Sequence, residues 1–383
     1  MTDTTELRRR LAEEIAEQGS LTDPAWRAAV EATPREAFLS DVVYRTGQDA
    51  QGTFYEPLRR DQVTEAQWLA LAYTNDTWIT QVDGIDAADA AGPVRGRPTS
   101  SSTLPSLVVR MLEAACIRDR DRVLEVGTGT GYSTAVLTHR LGRDQVTSVE
   151  IDPAVAARAR RALTGLGHHP ALVVGDGLDG HRDGAEYDRI VATCSVRSIP
   201  HQWLWQVRAG GTVTTALGGW MQASGLLHLT AHEDGTASGR FTGETVSYML
   251  ARPHQAPPRP SFFMHPGNRR PTGLDPALLW SWTGRFLAQL AAPSAELLGA
   301  GHRAILLDVA TGSQAWTEPG TGDDCWLVHQ HGPLLLWDAV EKAFRTWEEA
   351  GRPEQSGFGM TVTDEEQRVW LGRPDGPGWL LPS

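Results

Sequence analysis

Arg122-Val-Leu-Glu-Val-Gly-Thr-Gly-Thr-Gly131-Tyr132 reads as a short buried strand that breaks into a glycine turn and opens a helix. Val123, Leu124 and Val126 supply the apolar, partly β-branched run of a parallel strand. Gly127, Gly129 and Gly131 remove the side chains that would keep a ligand off the backbone, and a helix from Ser133 to Arg140 points its free N–H groups at the same place. A nucleotide-like ligand suits such a turn, but dinucleotide-binding proteins use a related one, so the residues downstream decide. Val146 to Glu150 is a second strand ending in an acid, about 25 residues past Glu125, where doubly wound proteins place a carboxylate on ribose hydroxyls. Val173-Val-Gly-Asp176-Gly177 ends a third strand with an acid placed to reach an adenine amino group.

Around this core the pattern alternates. Leu107 to Ala115 reads as a helix, Pro153 to Leu166 as another, and strands follow near Ala171, Ile190 and Thr212 to Ala216, which specifies a mainly parallel sheet covered on both faces. Upstream, Leu7, Leu11, Ile15 and Ala16 give a helical period, and Asp23-Pro24 starts a second helix to about Ala32. Tyr73 to Pro105 reads as irregular. Downstream, Leu226 to Leu229 and Gly239 to Met249 look antiparallel, and Ala251 to Pro260, rich in proline, reads as a stiff linker. Helices at Pro276 to Gln289 and Pro333 to Ala350 and a hairpin of Gly359 to Thr363 with Gln367 to Leu371 make the remainder a separate accessory domain.

A formal charge of −12 disfavours nucleic acid and anionic membranes and fits a peptide substrate better. No apolar run approaches a membrane span, and Met1-Thr-Asp-Thr-Thr-Glu lacks the parts of a signal peptide, so a cytoplasmic location is expected. Cys116, Cys194 and Cys325 offer neither a disulfide framework nor metal-ligand spacing, and no metal site is expected. His168-His169 and His329-Gln-His331 read as surface imidazoles. Of the 14 tryptophans, those in the tail read mostly as core, with a peptide-lining role open for some.

Glu125 inside E-V-G-T-G-T-G, together with Glu150 and Asp176, resembles the class I S-adenosylmethionine-dependent methyltransferases. Several segments from Pro24 to Leu250 together resemble the protein-L-isoaspartate O-methyltransferases: Thr33-Pro-Arg-Glu-Ala-Phe38, Ala72-Tyr73, Met111-Leu112-Glu113, V-L-E-V-G-T-G-T-G-Y, Gly175-Asp-Gly-Leu178 and Tyr187 to Thr193. The resemblance implies an α/β fold with a Rossmann-like, doubly wound sheet, an α-helical lead-in and a C-terminal α+β domain. The expected boundaries are a helical and substrate-loop region at 1–100, the methyltransferase domain at 101–250, the linker at 251–260 and the accessory domain at 261–383. S-adenosylmethionine is expected against Glu125, Gly127, Thr128, Gly129, Gly131, Tyr132, Glu150, Ile151, Asp176 and Gly177.

The resemblance breaks at the acceptor side. The family's G-Q-T-I-S-x-P turn, whose hydroxyls hold the substrate carboxylate, is replaced by Ser100-Ser101-Ser102-Thr103-Leu104-Pro105. Thr103 falls on the family's serine and Ser101 on its threonine, and both are expected to be catalytic, although Thr103 in a Ser/Thr-rich loop also suits a helix cap. Ser100, Ser102, Asp83 and Thr193 are the expected substrate contacts. The family's P-L-P-I-G segment gives way to Trp78 to Gly84 and an insertion to Gly96. With its added tail, the chain resembles the actinobacterial subgroup associated with graspetides and lanthipeptides. That implies methylation of one aspartate in a macrocyclised ribosomal precursor peptide, graspetide favoured, leading to aspartimide and isoaspartate. General isoaspartyl repair and a catalytically silent partner of a peptide cyclase are the alternatives. The oligomeric state stays open, a monomer included.

Overall fold

The computed structural model describes residues 3–259, 261–321 and 326–382; Cys325 and the last linker residue, Pro260, lie outside the described residues, as do Met1 and Thr2. The chain divides into two compact units, residues 1–193 with 205–214, and residues 194–204 with 215–383.

The first unit starts with α1 (Thr5–Glu17) and α2 (Pro24–Ala32). Asp23 caps α2 by accepting from the Ala25 N–H, and Pro24 takes the first turn, where no donor is needed. A 3-10 turn over Arg35–Phe38 leads to β1 (Val42–Asp49) and β2 (Gly52–Arg59), then α3 (Glu65–Ala72), β3 (Trp78–Val82), β4 (Ile85–Asp86) and β5 (Pro98–Ser102). These five strands form one antiparallel sheet, with order β2-β1-β3-β4 and β5 on β3. Its core is Val42, Tyr44, Tyr55, Val82, Ala87 and Ala90. The stretch from Tyr73 to Pro105, read as irregular, thus carries three of the five strands, joined by turns and loops. Ser100-Ser-Ser102 carries no apolar alternation to announce a strand; its pairing with Trp78, Ile79 and Gln81 supplies the structure that its side chains do not.

The regular α/β part follows as α4 (Pro105–Ala114), β6 (Val123–Val126), α5 (Tyr132–Leu141), β7 (Val146–Glu150), α6 (Pro153–Gly165), β8 (Ala171–Val174), β9 (Tyr187–Val196), α7 (His201–Leu204) and β10 (Val207–Leu217). β6 lies parallel between β7 and β9, with β8 beyond β7, so the strand before the glycine turn is central. All four residues of β6 are buried, as expected of a strand covered on both faces. Asp188 anchors the base of β9 by accepting from the Arg122 N–H at 2.7 Å and pairing with Arg208.

The second unit holds an antiparallel run of β11 (Gly225–Ala231) and β12 (Ala237–Thr245), and a separate five-stranded sheet of β13 (Asn268–Thr272), β14 (Ala295–Ala300), β15 (Arg303–Asp308), β16 (Gln314–Pro319) and β17 (Trp326–His331), in the order β13-β17-β16-β15-β14. α8 (Trp282–Ala291) and α9 (Leu336–Glu349) pack together, with α9 also against β15, β16 and β17. The expected helix at Pro276 starts as a 3-10 turn and becomes α8 only after Ser281 caps it. β18 (Phe358–Val362) and β19 (Gln367–Leu371) form the closing hairpin, and β20 (Gly378–Leu380) follows. Trp337 and Trp370 are buried, whereas Trp316 and Trp326 are half-buried and stack on His329 and His302. No helix among the described residues is long and apolar enough to cross a membrane.

Candidate active site

The glycine turn is built from below. Gly127, Gly129 and Gly131 have φ of 99°, 54° and 96°, the left-handed region that favours glycine. The Thr193 hydroxyl donates to the Gly127 carbonyl at 2.5 Å, and a Cβ on Gly127 would meet that hydroxyl at 2.8 Å. Glu125 is 0% exposed, and its carboxylate accepts from the hydroxyls of Ser133, Thr134 and Ser148. Burial pushes its pKa up against the lowering by those three donors. Thr128 and Ser148 share a further hydroxyl contact at 2.6 Å. Tyr132 is buried edge-on to Phe38, its phenol pushed up to about 12 by burial. Glu125, Thr128 and Tyr132 therefore hold the turn in place from within the packing. Thr193 spends its hydroxyl on the same task.

On the upper side, Glu150 Oε2 accepts from the Gly129 N–H at 2.8 Å, and Oε1 from the Asp152 N–H at 3.0 Å. The acid at the end of β7 thus stands against the turn at the end of β6, with half-buried Ile151 next to it. Asp176 follows β8 and accepts from the Leu178 N–H. A Cβ on Gly177 would fall 2.4 Å from Val126, so this turn presses on the strand that carries the glycines. Three strand ends deliver a backbone cradle and two acids to one edge of the sheet, the edge at which doubly wound folds bind ligands.

β5 passes beside this cradle: a Cβ on Gly129 would lie 3.6 Å from the Ser101 carbonyl. Strand alternation separates the hydroxyls. Ser100 and Ser102 are buried, Ser100 accepting from Thr80 at 3.0 Å, while Ser101 and Thr103 are half-buried and have no side-chain hydrogen bond among the described residues. Ser102 has a buried hydroxyl with no partner among the described residues. Asp83 sits elsewhere, exposed at the β3–β4 turn, where it accepts from the Arg97 N–H.

Arg35 is the organising residue that no spacing reveals, although it stands in the Thr33 to Phe38 motif. Its guanidinium donates to the carbonyls of Ala72, Thr74 and Asp76 at 3.0, 2.6 and 2.7 Å, and to those of Ser102 and Thr103 at 3.4 Å. Burial pulls its pKa down to about 10. Gln81 ties the same sheet to the start of α6, donating to Asp152 at 3.0 Å and accepting from Thr99 at 2.7 Å. Beside the turn a cavity of about 420 Å³ opens, lined by Gly129, Thr130, Thr80, Ser100, Arg158 and Arg161 among others.

A central glycine turn opening α5, with acids closing the next two parallel strands, defines the class I S-adenosylmethionine-dependent methyltransferase fold. A solved structure entitled protein-L-isoaspartate O-methyltransferase shares the fold with a TM-score of 0.55 at 19% identity, covering 96% of this chain and all of its own. The family "Protein-L-isoaspartate(D-aspartate) O-methyltransferase (PCMT)" matches residues 62–249. The protein-L-isoaspartate O-methyltransferase of Ignicoccus hospitalis is 40% identical over 125 residues, 32% of this chain and 58% of that protein. Protein-L-isoaspartate O-methyltransferase 1 of Anaeromyxobacter sp. is 39% identical over 150 residues, 39% of this chain and 68% of that protein. The chain belongs to the protein-L-isoaspartate O-methyltransferase family. It spans 58% of the length of the Ignicoccus hospitalis relative and 54% of that of protein-L-isoaspartate O-methyltransferase 1 of Archaeoglobus fulgidus. The likeness in fold to that solved structure runs through nearly the whole chain, the C-terminal part included.

Proposed function

We propose that this chain transfers a methyl group from S-adenosylmethionine to a side-chain carboxylate of a peptide, and that the acceptor is an aspartate in a macrocyclised ribosomal peptide, graspetide ahead of lanthipeptide. The observation that carries this reading is the rebuilt acceptor strand. Ser101, whose carbonyl lies 3.6 Å from where a Cβ on Gly129 would stand, and Thr103, two residues further on, carry hydroxyls with no hydrogen bond among the described residues, in a segment that differs from the family's G-Q-T-I-S-x-P turn.

The glycine cradle accommodates the donor's methionine and ribose against bare backbone, with Glu150 and Asp176 as acceptors for ribose hydroxyls and the adenine amino group. S-adenosylmethionine supplies an electrophilic methyl group. An aspartate at pH 7 is already ionised, so no general base is needed, and the residues' task is orientation. Hydroxyl donors at Ser101 and Thr103 keep the acceptor carboxylate charged in a partly dry site by offsetting its desolvation. The methyl ester then gives the following backbone amide a good leaving group, methanol departing as the aspartimide closes.

The test is incubation with linear and macrocyclised forms of a precursor peptide, followed by mass spectrometry. A gain of about 14 Da, or a net loss of about 18 Da, on the cyclised form alone supports this reading. Methylation of isoaspartyl peptides in general favours the second reading, repair, which the full-length likeness to a solved isoaspartate methyltransferase keeps in play.

A further inference from the structure

The cavity beside the glycine turn carries charge that methyl transfer does not use. Arg158 and Arg161 stand three residues apart on α6 and both line it. Arg158 is half-buried and committed, pairing with Asp86 at 2.7 Å. Arg161 is exposed and has no ion-pair partner among the described residues. Asp41 also lines the cavity, and Arg60 engages it at 3.3 Å. Phe38, Leu39 and Val155 supply an apolar wall, and Thr130 and the Thr80–Ser100 pair supply hydroxyls beside the turn. In a chain of net charge −12, this cavity is lined by one guanidinium, that of Arg161, without an ion-pair partner among the described residues, beside the apolar side chains of Phe38, Leu39 and Val155.

We propose that this cavity is a subsite for a second carboxylate of the peptide: an acidic side chain flanking the residue that is methylated, with Arg161 as the specificity-determining residue. The proposal rests on the peptide-carboxylate reading above. A short apolar stem ending in a carboxylate matches the apolar wall and Arg161, and a guanidinium binds a carboxylate through two parallel N–H donors where an ammonium offers a point charge. The cavity also lies within the size range of small-ligand sites. Since Arg161 is solvent-exposed, the discrimination is modest, about fivefold between a charged and a neutral flanking residue.

The experiment uses the full chain and two synthetic scaffolds, a macrocyclic aspartyl peptide and a linear isoaspartyl peptide, each with Glu, Gln or Lys on either side of the target. Methylation is read by mass spectrometry, peptide binding by fluorescence anisotropy with S-adenosylhomocysteine present, and donor affinity by calorimetry. The wild type is expected to favour Glu over Gln through KM with little change in kcat; Arg161→Gln erases that preference and R161E moves it toward Lys, with donor affinity unchanged. Equal use and equal binding of Glu and Gln peptides by the wild type would overturn the subsite. So would R161Q weakening donor binding without peptide, since the carboxylate served is then the donor's own. If neither scaffold is methylated, the methyl-transfer reading fails, while anisotropy still decides the subsite by the Glu against Gln comparison.

Discussion

The two sides of the site are held by opposite means. The glycine turn is fixed by side chains: Glu125 gathers three hydroxyls beneath it, and Thr193 grips a carbonyl within it. β5 is fixed mainly through its backbone, by pairing with β3 and by the Arg35 guanidinium on the carbonyls of Ser102 and Thr103, with Thr99 and Ser100 adding side-chain bonds to Gln81 and Thr80. The turn is therefore locked in chemistry as well as shape. At β5 the path of the chain is locked, while the Ser101 and Thr103 side chains make no hydrogen bond among the described residues.

The sharpest way to break that comparison is Arg35→Gln. It strips the donor from the buried carbonyl of Ala72 and from the part-buried contacts to Thr74 and Asp76, and the expected loss is about 3 kcal/mol of stability in urea unfolding. Unchanged stability would show that strand pairing alone holds the acceptor side. Next is Gly127→Ala, which puts a methyl 2.8 Å from the Thr193 hydroxyl in a left-handed turn. A strain of about 2 kcal/mol appears as donor binding weakened about 30-fold in calorimetry. T103A should lower kcat/KM about tenfold, roughly 1.4 kcal/mol, and leave donor affinity alone; a full rate in the variant removes Thr103 from the site. Ser102→Ala deletes a buried hydroxyl with no described partner, so its stability change stays within about 0.5 kcal/mol in either direction.

The smallest effect lies at the base of the sheet, away from both sides. Burial alone would raise the Asp188 pKa, but the Arg122 N–H and Arg208 outweigh it and hold the carboxyl below its ordinary range. A lowered folded-state pKa contributes stability above the unfolded value, and that contribution is lost as the pH falls through the folded one. D188N should flatten the acid limb of the stability profile without altering donor or peptide binding. A limb that stays as steep would assign the acid sensitivity to other carboxylates.

The parallel strands and their helices were readable because apolar period and glycine punctuation agree there, from Val123 through the helix ending near Leu166. The antiparallel sheet of β1 to β5 was not. Arg45-Thr-Gly-Gln-Asp49 and the serine strand lack alternation, and their partners, not their composition, make them strands. The bracing of the turn by Glu125 is not legible in the sequence, since only the fold brings Ser133, Thr134 and Ser148 to its carboxylate. Arg35 was visible as part of a motif, but its acceptors are backbone carbonyls 37 to 68 residues away, and backbone acceptors leave no mark in a sequence.

That last point bears on how such a site diversifies. Because Arg35 grips carbonyls, which every residue type provides, mutation at the half-buried Ser101 and Thr103 can sample new side chains without releasing the strand from its place beside the turn. That face of β5 is interchangeable on a fixed mount, and a randomised library at these two positions should keep its donor affinity while its peptide preference drifts.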